Sequence, residues 1–268
     1  MPVDPRSFLF ITLDSCRYDT FEAAQAPNLK RIGRLHRAFA PGNFTYASHA
    51  AMFVGFTPGV PGLREPYANP KYGKIWRLNG YLGKEPPFVA LSGRNLMHGF
   101  KALGYQVFGT GALGWFDPAS PTTHALRDGF DSFFYPKTLD GVGLQLDWCR
   151  EQLSRASGAP VFLFVNIGET HVPYHYQGAD WSPEDNPCVP YGSRNDAEVC
   201  RRRQLACVEF VDRQLAGLLG QFEQGNTIVC ADHGDAWGED GIWEHGVHHP
   251  KVLEVPLLYR LNRSPTPG

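Results

Sequence analysis

Four of the ten histidines in this chain stand between residues 233 and 249, in two runs: Asp232-His233-Gly234-Asp235, then Glu244-His245-Gly246-Val247-His248-His249. Two other polar groups follow apolar runs. Asp14, with Arg17 and Asp19 just behind it, follows Phe8-Leu-Phe-Ile-Thr-Leu13, and Glu169-Thr170-His171 follows the run 160–167. Carboxylates and imidazoles together bind cations of hard to borderline character. An Asp beside a His at one strand end, with a second Asp from another, is such a donor set. A single strand-end Asp also serves as a helix cap; several converging on one edge point to a shared ligand.

The elements that must position these groups alternate. Continuous apolar runs at 8–13, 160–167 and 226–231 predict strands buried on both faces, with shorter strands at 106–110 and 255–259. Helices are predicted at 27–32, 45–53, 95–103 and 144–156. Leu205, Val208, Val211, Leu215, Leu218, Leu219 and Phe222 repeat at helical spacing and predict a long amphipathic helix stopped by Gly225. Alternating strands and helices predict an α/β fold with a mostly parallel sheet, in which ligands bind beyond the carboxyl ends of the strands. Two stretches, 65–87 and 175–195, are rich in Pro, Gly and aromatic residues without periodicity, and are expected to be lids or substrate walls. With no repeat and no linker, residues 1–268 are expected to form one domain.

Composition excludes several classes. Hydrophobic residues at 43% and charged ones at 19% are too apolar a mix for a disordered chain. A formal net charge of −2 argues against nucleic acid as a partner, and the Arg201–Arg203 run reads as a solvated helix face. No run approaches the roughly 18 apolar residues of a membrane span, and the first residues lack the pattern of a signal peptide. A soluble, cytoplasmic protein is expected. The six cysteines show no CxxC pair and read as reduced thiols. Oligomeric state is not legible.

Six segments, in order, resemble the alkaline phosphatase superfamily, in its sulfatase-like and phosphoethanolamine-transferase-like branches. Phe10-Ile-Thr-Leu-Asp14-Ser-Cys-Arg17-Tyr-Asp19 resembles its opening strand and RxD, and Ala26-Pro-Asn-Leu29 its TPNL segment. Thr45-Tyr-Ala-Ser-His-Ala-Ala-Met-Phe-Val-Gly55 is similar to the signature CxPSRxxLLTG. Phe164-Val-Asn-Ile-Gly-Glu-Thr-His171-Val-Pro-Tyr174 resembles the HxPY segment, and Asn226-Thr-Ile-Val-Cys-Ala-Asp232-His-Gly234 the TIVxxSDHG strand. The spacing from Asp232-His-Gly to His245-Gly matches the transferase branch. The resemblance implies a three-layer sandwich with helices on both faces of the sheet. It also leads to the expectation that the smaller C-terminal subdomain usual in sulfatases is lacking.

The departures decide the chemistry that the resemblance implies. Thr45 stands where sulfatases carry the Cys or Ser that becomes formylglycine, an aldehyde that Thr cannot form; it implies a phospho-threonine route instead. His49 replaces the signature Arg, Ala47 the Pro, and Ser15 the second acid expected after Asp14, which disfavours Ca²⁺. Asp14, Thr45, Asp232 and His233 are then expected to hold a divalent metal, Zn²⁺ or Mn²⁺. One ion is favoured over two, because Glu169 and His171 lack the second site's spacing. His171, His245 and His248 are expected to bind phosphoryl oxygens or protonate the leaving group, with only one of His248 and His249 facing inward. Arg17 and His49 are assigned to the nucleophile or phosphate, although Arg17 is equally placed to pair with Asp19. Glu169 is expected behind His171, or with His248 as a ligand of a second ion or of substrate. The implied activity is metal-dependent hydrolysis of a small anionic phosphodiester, phosphonate or phosphomonoester. Alternatives are a biosynthetic phospho-group transferase, a sulfatase-type hydrolase and a non-catalytic anion-binding relative.

Overall fold

In a computed structural model, residues 2–55, 76–79, 88–91, 94–156 and 158–262 are described. The elements run β1 (Phe8–Leu13), α1 (Tyr18–Ala23), α2 (Pro27–Lys30), β2 (His36–Phe39), α3 (Thr45–Val54), β3 (Trp76–Asn79), β4 (Phe88–Leu91), α4 (Leu96–Ala102) and β5 (Gln106–Gly111). They continue with α5 (Thr123–Leu126), β6 (Ser132–Phe134), α6 (Val142–Arg155), β7 (Val161–Ile167), α7 (Ala197–Gln221), β8 (Asn226–Ala231), β9 (Ala236–Trp237), β10 (Trp243–Glu244), α8 (Pro250–Leu253) and β11 (Glu254–Arg260). Seven strands form the main sheet in the order β2-β11-β8-β1-β7-β5-β6. Strands β8, β1, β7, β5 and β6 are parallel, while β11 and β2 join antiparallel at one edge.

Alternation along β1 divides the core. Leu9, Ile11 and Leu13 face Val208, Val211 and Leu215 of α7 and Leu146 of α6. Phe8 and Phe10 face the other way, joining Phe162 and Phe164 of β7 against Tyr46, Ala50 and Phe53 of α3. Helices therefore cover both faces, the arrangement that parallel strands require. Thr12 belongs to the aromatic face, and the register places it beside Asn166 of β7. Two polar side chains thus lie under α3 at the carboxyl end of the sheet.

The expected elements are present, with differences. Helix α7 begins at Ala197, where the Asp196 carboxylate accepts from the N–H groups of Glu198 and Val199. The periodicity that predicts it from residue 205 misses this polar first turn. The short strands β2 and β6, of four and three residues, are too short to give a run that predicts them. Of the two long stretches, 175–195 is a loop between β7 and α7. The other, 65–87, lies outside the described residues except for β3, which pairs antiparallel with β4. Among the described residues no helix is long and apolar enough to cross a membrane, and all six cysteines are buried and unpaired.

Candidate active site

Asp14, Thr45, Asp232 and His233 arrive from three elements and are all buried. Asp14 and Asp232 are the residues next after β1 and β8, and Thr45 is the first residue of α3. Phe44, not Thr45, is the N-cap of α3, so the threonine hydroxyl is not spent on capping. Thr45 Oγ1 lies 3.4 Å from each Asp14 carboxylate oxygen and 3.4 Å from His233 Nε2. His233 Nε2 is 3.7 Å from Asp14 Oδ1 and 3.5 Å from Asp232 Oδ2. These separations exceed the 2.7–3.0 Å typical of well-formed hydrogen bonds. The groups are gathered around a common point rather than bonded to one another.

The side chains behind them fix their orientation. His233 Nδ1–H donates to the Gly234 carbonyl (3.1 Å), which leaves Nε2 as the available lone pair. Asp232 Oδ1 accepts from the N–H groups of Ser15 (3.1 Å) and His233 (3.0 Å). Ser15 makes its bond with a left-handed backbone, φ 58°, a conformation a non-glycine residue keeps only where its surroundings enforce it. Gly234 has to be glycine because a Cβ there would lie 2.4 Å from the Lys251 carbonyl oxygen.

Charge defines what this cluster lacks. Burial, together with the Asp232 charge, pushes the Asp14 carboxyl up to about 6. Burial pushes Asp232 up to about 6 as well, and pushes His233 down to about 4, so its imidazole is neutral. Asp232 Oδ2 is buried and accepts no hydrogen bond. Two buried carboxylates, one of them with an orphaned oxygen, and a neutral imidazole with a free lone pair fit a divalent cation. The ligand atoms of Asp14, Asp232 and His233 lie within 4.8 Å of one another, as do those of His233, Asp235 and His245.

His245 stands next to this cluster. Its Nδ1 is 2.7 Å from Asp235 Oδ1, and its ring centroid is 4.4 Å from that of His233 and 5.2 Å from that of His171. Burial disfavours its imidazolium, but the Asp235 charge outweighs that and raises its pKa to about 9. Asp235 accepts at its other oxygen from the Tyr174 hydroxyl (2.7 Å), which in turn accepts from Trp237 Nε1–H (2.8 Å). Tyr174 also has a left-handed backbone, φ 58°. His171 Nδ1–H donates to the Val172 carbonyl, leaving Nε2 free.

The remaining expected residues have other duties. His49 is buried and held neutral by burial. Its Nδ1–H donates to the Thr45 carbonyl (2.8 Å) and its Nε2 accepts from the Thr12 hydroxyl (3.0 Å). It therefore orients Thr45 through the main chain. Arg17 does not reach the nucleophile: its guanidinium pairs with Asp19 and Glu239 and stacks 4.1 Å over Trp237. Glu169 does not stand behind His171 or reach a metal position. It accepts from the Val142 N–H (2.8 Å) and caps α6. His248 is exposed. The more buried His249 caps α8 by accepting from the Lys251 N–H, and neither turns toward Thr45.

Two site residues have no role in the sequence reading. Asn166 donates to Asp14 Oδ2 (3.1 Å) and to the Thr12 hydroxyl (3.2 Å); its signal is a lone amide inside an apolar strand. Asp235 stands within the DHG segment, but only its pairing with His245 reveals its use.

The Sulfatase family model matches residues 6–267. No curated protein matches the chain. Among solved structures, the periplasmic domain of the phosphoethanolamine transferase EptC from Campylobacter jejuni is similar at TM-score 0.63 and 15% identity, covering 95% of this chain and 78% of that one. The zinc complex of the EptC periplasmic domain from Escherichia coli matches at TM-score 0.63 and 15% identity, over 97% and 76%. The phosphonate monoester hydrolase of Agrobacterium radiobacter matches at TM-score 0.60 and 15% identity, over 96% and 68%. At these identities the structures speak for the fold; the family model spans nearly the whole sequence, and the chain belongs to the Sulfatase family.

Proposed function

We propose that this chain is a metal-dependent phosphoesterase in which Thr45 accepts the phosphoryl-type group. The supporting observation is the Thr45 hydroxyl, uncommitted to capping, 3.4 Å from both the Asp14 carboxylate and His233 Nε2, beside the orphaned Asp232 oxygen. Asp14, Asp232, His233 and Thr45 would hold one ion. His233 has a single lone pair to give, so the sets Asp14–Asp232 and Asp235–His245 compete for it. The mixed N/O donors suit Zn²⁺, the ion of the E. coli EptC complex, or Mn²⁺ better than Ca²⁺. When bound, the cation offsets phosphoryl charge and lowers the pKa of the threonine hydroxyl.

The protein groups then divide the work. Thr45 at the start of α3 places the incoming anion at the positive end of the helix dipole. With the Thr45 proton already lost to solvent, the Thr45 Oγ–P bond forms as the ester P–O bond breaks, and protonated His245 gives its proton to the departing oxygen. Water then attacks phosphorus, His245 takes the water's proton, and Thr45 is released. An alcohol in place of water would make the same adduct serve a transferase, the class of activity that EptC is named for. Rapid quenching with a slow aryl phosphodiester, followed by peptide mass spectrometry, should find the phosphoryl-type mass on the Thr45 peptide. Thr45→Ala should lose the adduct and about 10⁴-fold or more of turnover. Undiminished turnover by Thr45→Ala would sink the reading.

A further inference from the structure

A cleft of about 220 Å³ includes His171 in its lining, together with Thr138, Asp140, Gly168, Pro173 and His175 among others. One wall is the segment before α6. It is held by the Glu169 cap on Val142 and by close packing on Gly168, where a Cβ would lie 2.4 Å from the Leu139 carbonyl oxygen. The other wall is the turn after β7, closed by Tyr174 N–H donating to the His171 carbonyl. The turn sends the Tyr174 side chain down to Asp235 and leaves His171 and His175 on the cleft. Across it, His175 Nδ1 lies 3.0 Å from Asp140 Oδ2, and the other Asp140 oxygen accepts from the Thr138 hydroxyl. The Asp140 and His175 side chains are 22% and 13% exposed, so both are reachable but largely desolvated. Among the described residues, Asp140 is the one carboxylate that lines the cleft, and no Lys or Arg lines it.

We propose that this cleft binds the leaving group of the ester, and that Asp140, held against His175, selects a leaving group bearing an ammonium. The inference rests on the phosphoesterase reading for the word "leaving". His245 protonates the departing oxygen, His171 lies next to it, and His171 also lines the cleft. A phosphoryl anion is repelled by Asp140, so the anionic half of the substrate stays at Thr45 and the cationic half turns into the cleft. Each Asp140 oxygen has one donor in place and a lone pair to spare. The volume is below that of whole-ligand sites, which run from about 300 Å³ upward, and suits a small organic fragment.

The methyl phosphodiesters of tyramine and of 4-ethylphenol differ by one ammonium, and compare the two cases directly. The zinc-loaded wild type should favour the tyramine ester in kcat/KM by roughly 10- to 100-fold, expressed in KM, as for hydrogen bonds to a charged group. Asp140→Asn should collapse that ratio toward one, and His175→Gln should do the same from the other half of the pair. A wild-type ratio near one, or a ratio kept in Asp140→Asn, overturns the proposal. Titration with free tyramine, followed by the His175 ring signals in NMR, is independent of turnover. Saturable shifts that vanish in Asp140→Asn support the cleft even if neither ester is cleaved, an outcome that would instead defeat the phosphoesterase reading. No shift in wild type defeats the cleft even if both esters are cleaved.

Discussion

Two clusters of charge, one half-buried and one fully buried, meet the segment 232–239, and they are built on opposite terms. Around Arg17, the guanidinium meets Asp19 at 2.6 Å and Glu239 at 2.8 Å, and Lys251 reaches Asp19 at 2.7 Å. Two cations face two carboxylates, and although burial works against it, Arg17 holds the Asp19 carboxyl well below the usual range. Around Thr45, Asp14 and Asp232 face each other with neutral histidines beside them, and both carboxyls are pushed up to about 6. The first cluster is complete within the chain and braces the loop that carries Asp235. The second is complete only with an added cation. An RxD segment next to a metal-binding Asp reads as one motif in sequence, yet its two ends belong to different machines.

The comparison breaks first at Asp232. Asp232→Asn keeps an oxygen for the Ser15 and His233 N–H groups but removes the charge, and should lower turnover by about 10⁴-fold or more together with loss of bound metal in elemental analysis. Full metal loading in this variant would contradict the assignment. The metal-free proteins add a test of sign. A carboxyl at about 6 when folded, against 3.8 for an ordinary Asp, contributes stability that is present below about pH 4 and lost as pH rises through 6. Metal-free wild type should therefore lose denaturation midpoint across that window more steeply than metal-free Asp232→Asn. His245 gives the next largest effect. His245→Ala should cost roughly 10²- to 10⁴-fold in turnover, as for a positioned acid or base, with metal content unchanged. Loss of one equivalent of metal would move Asp235 and His245 into a second site.

Arg17 tests the other half of the comparison. Arg17→Met keeps much of the volume but strands Asp19 and Glu239. Breaking a fully buried pair costs about 3–5 kcal/mol. Asp19 and Glu239 are 32% and 30% exposed, so about 2–4 kcal/mol is expected in chemical denaturation. Zinc stoichiometry should stay at the wild-type value. A loss of metal without loss of stability would merge the two clusters into one.

How much of this was legible follows from what kind of interaction each residue makes. The strands β1, β7 and β8 announce themselves because burial on both faces demands uninterrupted apolar residues, and their ends mark Asp14 and Asp232 without any structure. His233 follows from adjacency. Thr45 was legible through the resemblance, since a threonine at a helix start is otherwise indistinguishable from a cap. Roles that depend on contacts distant in sequence were not legible. Glu169 lies two residues before His171, but its carboxylate turns to Val142 of α6. Arg17 had its Asp19 partner in view, while Glu239 and the Trp237 ring lie more than 200 residues on. Asn166 is legible only once the register sets it beside Thr12.

The smallest effects belong to the neighbouring histidines, which sequence leaves equivalent. His249 Nδ1 accepts from the Lys251 N–H (3.1 Å), and its Nε2 lies 3.3 Å from Asp240 Oδ2. It acts where Ser or Asp usually caps, and losing such a cap costs about 0.5–2 kcal/mol. His248 is exposed, and surface substitutions of this kind stay within about ±0.5 kcal/mol. His249→Ala should thus lower the denaturation midpoint measurably while His248→Ala leaves it in place. Neither should change turnover by more than about twofold, a shift of only ~0.4 kcal/mol in barrier, because neither side chain touches the Thr45 cluster. A tenfold loss in His248→Ala would show that the 245–248 turn closes onto bound substrate, and that the completed active site includes a side chain this structure leaves in solvent.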